Sequence, residues 1–587
     1  MAFLDMAGIA SIMPFMAVVA NPDVIQTNRW LKQAYDFFGF TSSHDFLFFL
    51  GSVVLGMMIF SNLAKFLVGW LALRFDNGIN YSLARRLLAA YLARPYDFFL
   101  NRNVAEMGKN VLTEVRTVIG GVLSAGMYAL QGIVISFFIL ALLAAVNPYI
   151  AANILVVLGI CYGLVYIAVR RRLARIGEEQ VESNVQKYKA AGEALGGIKD
   201  LKILGRERLF LEKFSFYAQR HARNNVTAGV ISQLPRYALE VMAFGGILLI
   251  VLILLGAERK QEQMIPLLAL YALAGYRLLP ALQSIFAGIA SVRFNLAALD
   301  VLHRDLIENR GEVDPEMALA GCGNLDPLPF TRELELIDVT FRYAEGQEPV
   351  LKNLHLTIPI NNTIGFVGAT GSGKTTAVDI ILGLLSPSSG EIQIDGTHLN
   401  GKNLARWQRN LGYVPQTIFL CDDTVTRNIA FGVPDAEIDH EAVARAARIA
   451  NLDSFVREEM PEGYDTVIGD RGIRLSGGQR QRIGIARALY SDPAVLILDE
   501  ATSALDGLTE EAVMDAISHL SRKKTILMIA HRLTTVKDCD VIYLLDHGRI
   551  VNQGSYDDLE KSSAWFRAAA RIGSTSTKQD NHAVSSR

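Results

Sequence analysis

Five apolar runs dominate the first 290 residues: 46–73, 118–146, 149–169, 238–256 and 265–290. Each has about the ~20 residues that a helix needs to cross a bilayer. Only helices and closed barrels satisfy their backbone in lipid, and runs without two-residue alternation read as helices. A sixth run, residues 6–20, is short and holds Pro14. It predicts the outer half of a spanning helix whose beginning lies some ~20–30 residues upstream. None of these runs carries the pattern of a signal peptide. With 51% hydrophobic and 20% charged residues in 587, the chain is neither disordered nor fibrous, and it is too long for one core.

Cations set the orientation. Arg85, Arg86, Arg94, Arg102 and Lys109 follow the run 46–73, and Arg170, Arg171, Arg172 and Arg175 follow the run 149–169, so both connections face the cytoplasm. Residues 21–45, the Asn147-Pro148 turn and residues 256–264 are poorer in cations and lie outside. The two cytoplasmic connections read as helical hairpins. Breaks at their tips predict short transverse helices over residues 95–105 and 190–205, the latter punctuated by Gly196, Gly197 and Gly205. The composition then turns rich in Gly, Pro and Asp. The organisation expected is a membrane domain over 1–305, a linker over 306–330, an α/β domain over 331–570 and a disordered polar tail over 571–587. In the α/β domain, strand-like runs at 333–339, 363–367, 495–498, 525–529 and 541–545 alternate with helical patterns and predict a largely parallel sheet.

Between a strand and a helix lies Gly368-Ala369-Thr370-Gly371-Ser372-Gly373-Lys374-Thr375, followed by Thr376. This is the pattern of a phosphate-binding loop. Its glycines let backbone amides curl around phosphate oxygens, Lys374 neutralises the terminal phosphates, and the Thr375 hydroxyl suits Mg2+. The strand at 495–498 ends in Asp499-Glu500, at the carboxyl edge where α/β ligands bind. There Asp499 is the metal carboxylate and Glu500 the general base for water attack. ATP must reach this domain in the cytoplasm, so the run at 6–20 also has to cross, giving six spans.

Leu475-Ser476-Gly477-Gly478-Gln479 resembles the signature of the ABC (ATP-binding cassette) ATPases, and the resemblance covers residues 331–570. It implies that Ser476, Gly477, Gly478 and Gln479 grip an ATP held by a second cassette. It also implies an adenine-stacking role for Tyr343, a Q-loop role touching metal and water for Gln416, a D-loop role for Asp506 and a γ-phosphate role for His531. Residues 466–472 align with the exporter X-loop, with Val467 where Glu is common. Membrane helices followed by a cassette in one chain resemble the exporter, or type IV, half-transporters: an all-α six-helix membrane domain fused to an α/β P-loop cassette. One intact set of motifs makes a homodimer the economical assembly.

Lys65 and Arg277 lie within apolar spans, where a cation costs about 2.5–3.5 kcal/mol on insertion scales and marks a pathway or a partner. Arg236 and Glu240 are spaced for an i,i+4 pair. Residues 9–22 (IASIMPFMAVVANP), 233–245 (QLPRYALEVMAFG) and 272–280 (ALAGYRLLP) resemble bacterial lipid-linked oligosaccharide flippases, with Ser61 where a further arginine is expected. That resemblance implies a pyrophosphate-bearing lipid as cargo, met by Lys65, Arg277 and Arg236, in the cytoplasmic membrane. A multidrug, lipid A-like or peptide exporter is the alternative, and an ATP-gated channel or regulatory subunit is the alternative of another class. A soluble ribosome- or DNA-acting ATPase is excluded by the spans, and a net charge of -2 gives no general drive toward nucleic acid. The four cysteines, Cys161, Cys322, Cys421 and Cys539, form no CxxC pair and indicate neither a disulfide framework nor zinc.

Overall fold

The computed structural model describes residues 14–19, 21–146, 148–256, 264–308, 325–344, 346–501, 507–530 and 532–570. The chain divides into two compact units, Met1–Arg94 with Arg102–Leu319, and Pro95–Asn101 with Ala320–Arg587.

The apolar runs of the first unit fold into long helices: α1 (Ser43–Leu92), α3 (Ala125–Val146), α4 (Pro148–Gly196), α6 (Glu207–Gly256) and α7 (Met264–His303). In chain order the short helix α5 (Ile198–Leu204) lies between α4 and α6, and the short helix α2 (Tyr96–Leu100), which follows α1, belongs to the second unit. At 50 residues, α1 is about 75 Å long against a ~30 Å hydrocarbon core, so its polar end continues well past the membrane. Among the described residues, the helices over Ser43–Leu92, Val104–Ala145 and Ala274–Ile307 are long and apolar enough to cross a membrane. The runs at 149–169 and 238–256 fall inside α4 and α6. Of the first predicted span, residues 14–19 are helical and the rest lie outside the described residues.

The tips of the hairpins differ from expectation. Residues 190–196 continue α4, and only Ile198–Leu204 forms a separate helix, set off at Gly197 and closed by Gly205 at φ 61°. A left-handed Gly ends a helix at no steric cost. Over residues 95–105 the helix is only α2, because the Asn103 side chain accepts from Ala105 N–H and starts a new helix at Val104.

Glycines bring α3 and α7 together. A Cβ on Gly132 would stand 2.3 Å from Ser284 Oγ, and one on Gly288 would stand 2.4 Å from the Ala125 carbonyl oxygen. Before α3 in the chain, Lys109 and Glu114 pair at 3.1 Å with side chains 0% and 3% exposed, and Asn184 of α4 donates to Glu114.

The second unit contains two sheets. The six-stranded one has the order β10-β9-β3-β8-β7-β6, built from β3 (Thr363–Val367), β6 (Leu411–Val414), β7 (Val495–Asp499), β8 (Thr525–Ile529), β9 (Val541–Asp546) and β10 (Arg549–Gly554). All pairs are parallel except β9 with β10. Strands β3, β7 and β8 are buried at every residue, which is why they read as unbroken apolar runs. The other sheet, β2-β1-β4-β5, is antiparallel: β1 (Glu333–Phe341), β2 (Leu351–Pro359), β4 (Ser389–Ile394) and β5 (Thr397–His398). The run at 333–339 therefore belongs to an antiparallel sheet and not to the parallel one. Its alternation, with Leu334, Leu336 and Val339 inward, is the mark of a strand with one wet face.

Candidate functional site

Strand β3 runs into the loop 368–373, and helix α8 (Lys374–Ile381) leaves it. Loop glycines are required by geometry at two positions. Gly368 has φ 150°, and a Cβ there would meet the Leu545 carbonyl oxygen at 2.1 Å. Gly373 has φ 101°, with a Cβ 2.7 Å from Leu351. Lys374 is buried, and its ammonium donates to the carbonyls of Gly368 (2.9 Å) and Ala369 (3.0 Å). Burial lowers its pKa below the ordinary lysine value, while Glu500 and Asp499 act in the opposite sense. The Ser372 hydroxyl is buried with no hydrogen-bond partner among the described residues, as suits a loop built to receive another oxygen-rich group.

Strand β7 delivers the two carboxylates to the edge of the sheet. Asp499 is 5% exposed. Glu500 follows it in the left-handed region at φ 51°, a conformation that costs energy for a side chain of this kind and persists where the surroundings enforce it. Its N–H donates to the Ile529 carbonyl of β8 (3.2 Å), and its carboxylate accepts from Gln416 Nε2 (2.8 Å). The Tyr343 ring packs edge-on against Phe341, with its hydroxyl 3.1 Å from Thr376 Oγ1 and 45% of the residue exposed.

Ser476, Gly477, Gly478 and Gln479 open helix α9 (Gly477–Tyr490). Ser476 and Gln479 form a reciprocal capping box, at 3.1 and 2.8 Å. Among the described residues no hydrogen bond or ion pair links them to the loop 368–373. Asp506 and His531 lie outside the described residues.

Sequence reasoning missed Asp379 and Gly548. Burial pushes the Asp379 carboxyl up to about 6, and the charge of Asp499 adds to the rise. A lone carboxylate inside the apolar string Ala377-Val378-Asp379-Ile380-Ile381 was the available signal. Gly548 donates its N–H to the Ser372 carbonyl (3.1 Å), which binds the β9–β10 turn to the phosphate loop.

In the membrane unit, Lys65 of α1 and Arg277 of α7 line one cavity of about 430 Å³ together with Tyr128, Gln131 and Tyr276. Gly132, Ala281 and Ser284 of the glycine seam also line it. Arg236 does not line it; its guanidinium donates to Glu240 at 2.8 Å.

The family described as ABC transporter transmembrane region matches residues 11–271, and that described as ABC transporter matches residues 351–503. An ATP-dependent lipid A-core flippase of Cupriavidus metallidurans is 32% identical over 541 residues, covering 90% of this chain and 87% of that one. The chain belongs to the ABC transporters. A protein of the same description from Cupriavidus pinatubonensis is 30% identical over 531 residues, with 90% and 88% covered. A solved bacterial Atm1-family ABC exporter with ATP bound superposes at a TM-score of 0.75 over 97% of this ABC transporter and 96% of that chain, at 22% identity. The fold is that of the type IV exporters. This ABC transporter couples ATP hydrolysis to transport across a membrane.

Proposed function

We propose that this ABC transporter is a homodimeric flippase of the bacterial inner membrane that moves an anionic amphipathic lipid, a lipid-linked oligosaccharide or a glycolipid of similar charge. The observation that carries the cargo is the single cavity lined by Lys65 and Arg277. Two cations converging on one space inside apolar helices suit a phosphate or pyrophosphate head group. Tyr128, Gln131 and Tyr276 add aromatic and amide surface for the group it carries. Relatives described as lipid A-core flippases support a lipid cargo.

In the cassette, the loop amides and Lys374 hold the ATP phosphates and Tyr343 packs on adenine. Thr375, Asp499 and Gln416 would hold Mg2+, which when bound neutralises phosphate charge. Glu500 accepts the proton of the attacking water, and Gln416, bonded to it at 2.8 Å, fixes the direction of that carboxylate. His531 meets the γ-phosphate and Asp506 the facing cassette. Ser476 to Gly478, capped on their own helix, face the nucleotide of the second copy, so that two sites share two chains.

The test is a set of proteoliposomes containing Lys65→Met, Arg277→Met and the double variant with a fluorescent lipid pyrophosphate. ATP-dependent flipping is expected to fall about tenfold in each single variant and further in the double, the loss of a charge-assisted contact. Unchanged flipping in folded, dimeric double variant contradicts the reading.

A further inference from the structure

Three segments of the cassette meet at one side chain of the signature helix. Arg487, three turns along α9 from Ser476, donates from Nη1 to the Phe419 carbonyl (2.7 Å), from Nε to the Asn428 carbonyl (2.8 Å) and from Nη2 to Asn428 Oδ1 (3.2 Å). Its guanidinium stands over the Phe431 ring at 4.6 Å. Asn428 is fully buried. Its amide accepts from Cys421 N–H (2.9 Å) and donates toward the carbonyls of Cys421 (3.1 Å) and Thr424 (3.0 Å). The same turn is paired to the X-loop: Val425 N–H donates to the Thr466 carbonyl and Ile468 N–H to the Asp423 carbonyl, each at 3.1 Å.

Phe419 lies three residues beyond Gln416, the residue that holds Glu500. Between them, Ile418 seats on α9 so closely that a Cβ on Gly484 would come within 2.5 Å of its terminal methyl. The hydrolytic centre, the Gln416 loop, the X-loop and the signature helix thus form one connected body, and the fork of Arg487 ties the signature helix into it through three hydrogen bonds. A planar guanidinium reaching three acceptors fixes direction as well as distance, which a point charge does not.

We infer that Arg487, seated by Asn428, is a positioning residue that carries displacement of the Gln416 loop into helix α9, and so sets when Ser476 engages the second copy's nucleotide. The inference rests on the two-copy reading above. Arg487 touches neither nucleotide nor reacting atoms; it acts through Phe419 and α9.

The experiment uses the full chain in nanodiscs in a Glu500→Gln background. Cassette closure on ATP is followed by the distance between spin labels on the two copies, and ATP affinity by a fluorescent ATP analogue. Glu500→Gln alone should close; its failure to do so sinks the two-copy reading and not this one. With Arg487→Lys added, ATP affinity is expected to stay within about twofold while the closed fraction falls about tenfold. In the Glu500 background the same change should lower kcat about tenfold with KM unmoved, and reduce the Hill coefficient for ATP toward one. Asn428→Asp, which keeps the shape and the Oδ1 acceptor but removes the donor, should move these readings in the same direction. Arg487→Lys that closes and turns over as well as its parent overturns the inference. Loss of ATP affinity together with closure, or failure of both variants to fold, also overturns it, because the cluster is then structural support alone.

Discussion

Glu500 occupies a left-handed backbone position that β8 and Gln416 hold in place. The carboxylate is therefore aimed before ATP arrives, and its removal should cost the base without the shape. Glu500→Gln is expected to retain ATP binding and to lower turnover by about 10²–10⁴, the range for a positioned general base. Single-turnover hydrolysis measures it. Lys374→Ala removes the buried cation of the loop and should raise KM for ATP about tenfold or more, read by steady-state kinetics. Asp379 predicts a pH dependence. Its folded pKa of about 6 lies above the ordinary carboxyl value, so between the two the native state holds a proton that the unfolded chain has released. Stability contributed by this group is present below the ordinary carboxyl range and is lost as pH rises through about 6. Asp379→Asn should raise the unfolding midpoint at pH 7 more than at pH 4 in metal-free, nucleotide-free buffer. An equal shift at both pH values contradicts the assignment.

The α3–α7 seam is narrow enough to test with one methyl group. In Gly288→Ala the new Cβ meets the Ala125 backbone carbonyl and the Ala129 side chain at 2.4 and 2.7 Å, so the helices have to part. Overpacking of this kind costs about 1–3 kcal/mol and should lower the thermal midpoint of the membrane unit. The buried Lys109–Glu114 pair gives the opposite kind of test. Lys109→Met leaves a buried carboxylate with only Asn184, at about 3–5 kcal/mol, and Lys109→Met with Glu114→Gln should recover much of the loss in thermal unfolding.

These elements also show what the sequence made visible. Spanning helices, the buried strands β3 and β7 and the phosphate loop follow from unbroken apolar runs and from glycine spacing, which are local signals. The 2.8 Å pairing of Gln416 with Glu500 joins residues 84 apart, and the shared cavity of Lys65 and Arg277 joins two distant helices. Such juxtapositions come from tertiary packing, and a one-dimensional reading supplied the residue types without the contact. The antiparallel pairing of β1 was misread for the same reason, since alternation fixes a wet face but not the neighbour.

In the proposed transporter, ATP chemistry in the cassette has to change the fate of a lipid held among the membrane helices. The proposal places Glu500, Asp499 and the phosphate loop in the hydrolysis step and gives the cavity lined by Lys65 and Arg277 the anionic head group. On the proposed two-copy assembly, in which two signature helices face two nucleotides, turnover is cooperative and dilution below the dimer dissociation constant should abolish ATPase activity, as read by activity against protein concentration. The most direct test reconstitutes the pure protein in liposomes and follows, by access of a membrane-impermeant quencher, the leaflet in which labelled lipids reside. With ATP and Mg2+, a polyprenyl pyrophosphate glycolipid is expected to change leaflet, while its neutral, phosphate-free counterpart stays and the Glu500→Gln protein moves neither. Equal ATP-dependent movement of the charged and neutral lipids, or movement of the charged lipid without ATP, would contradict the account.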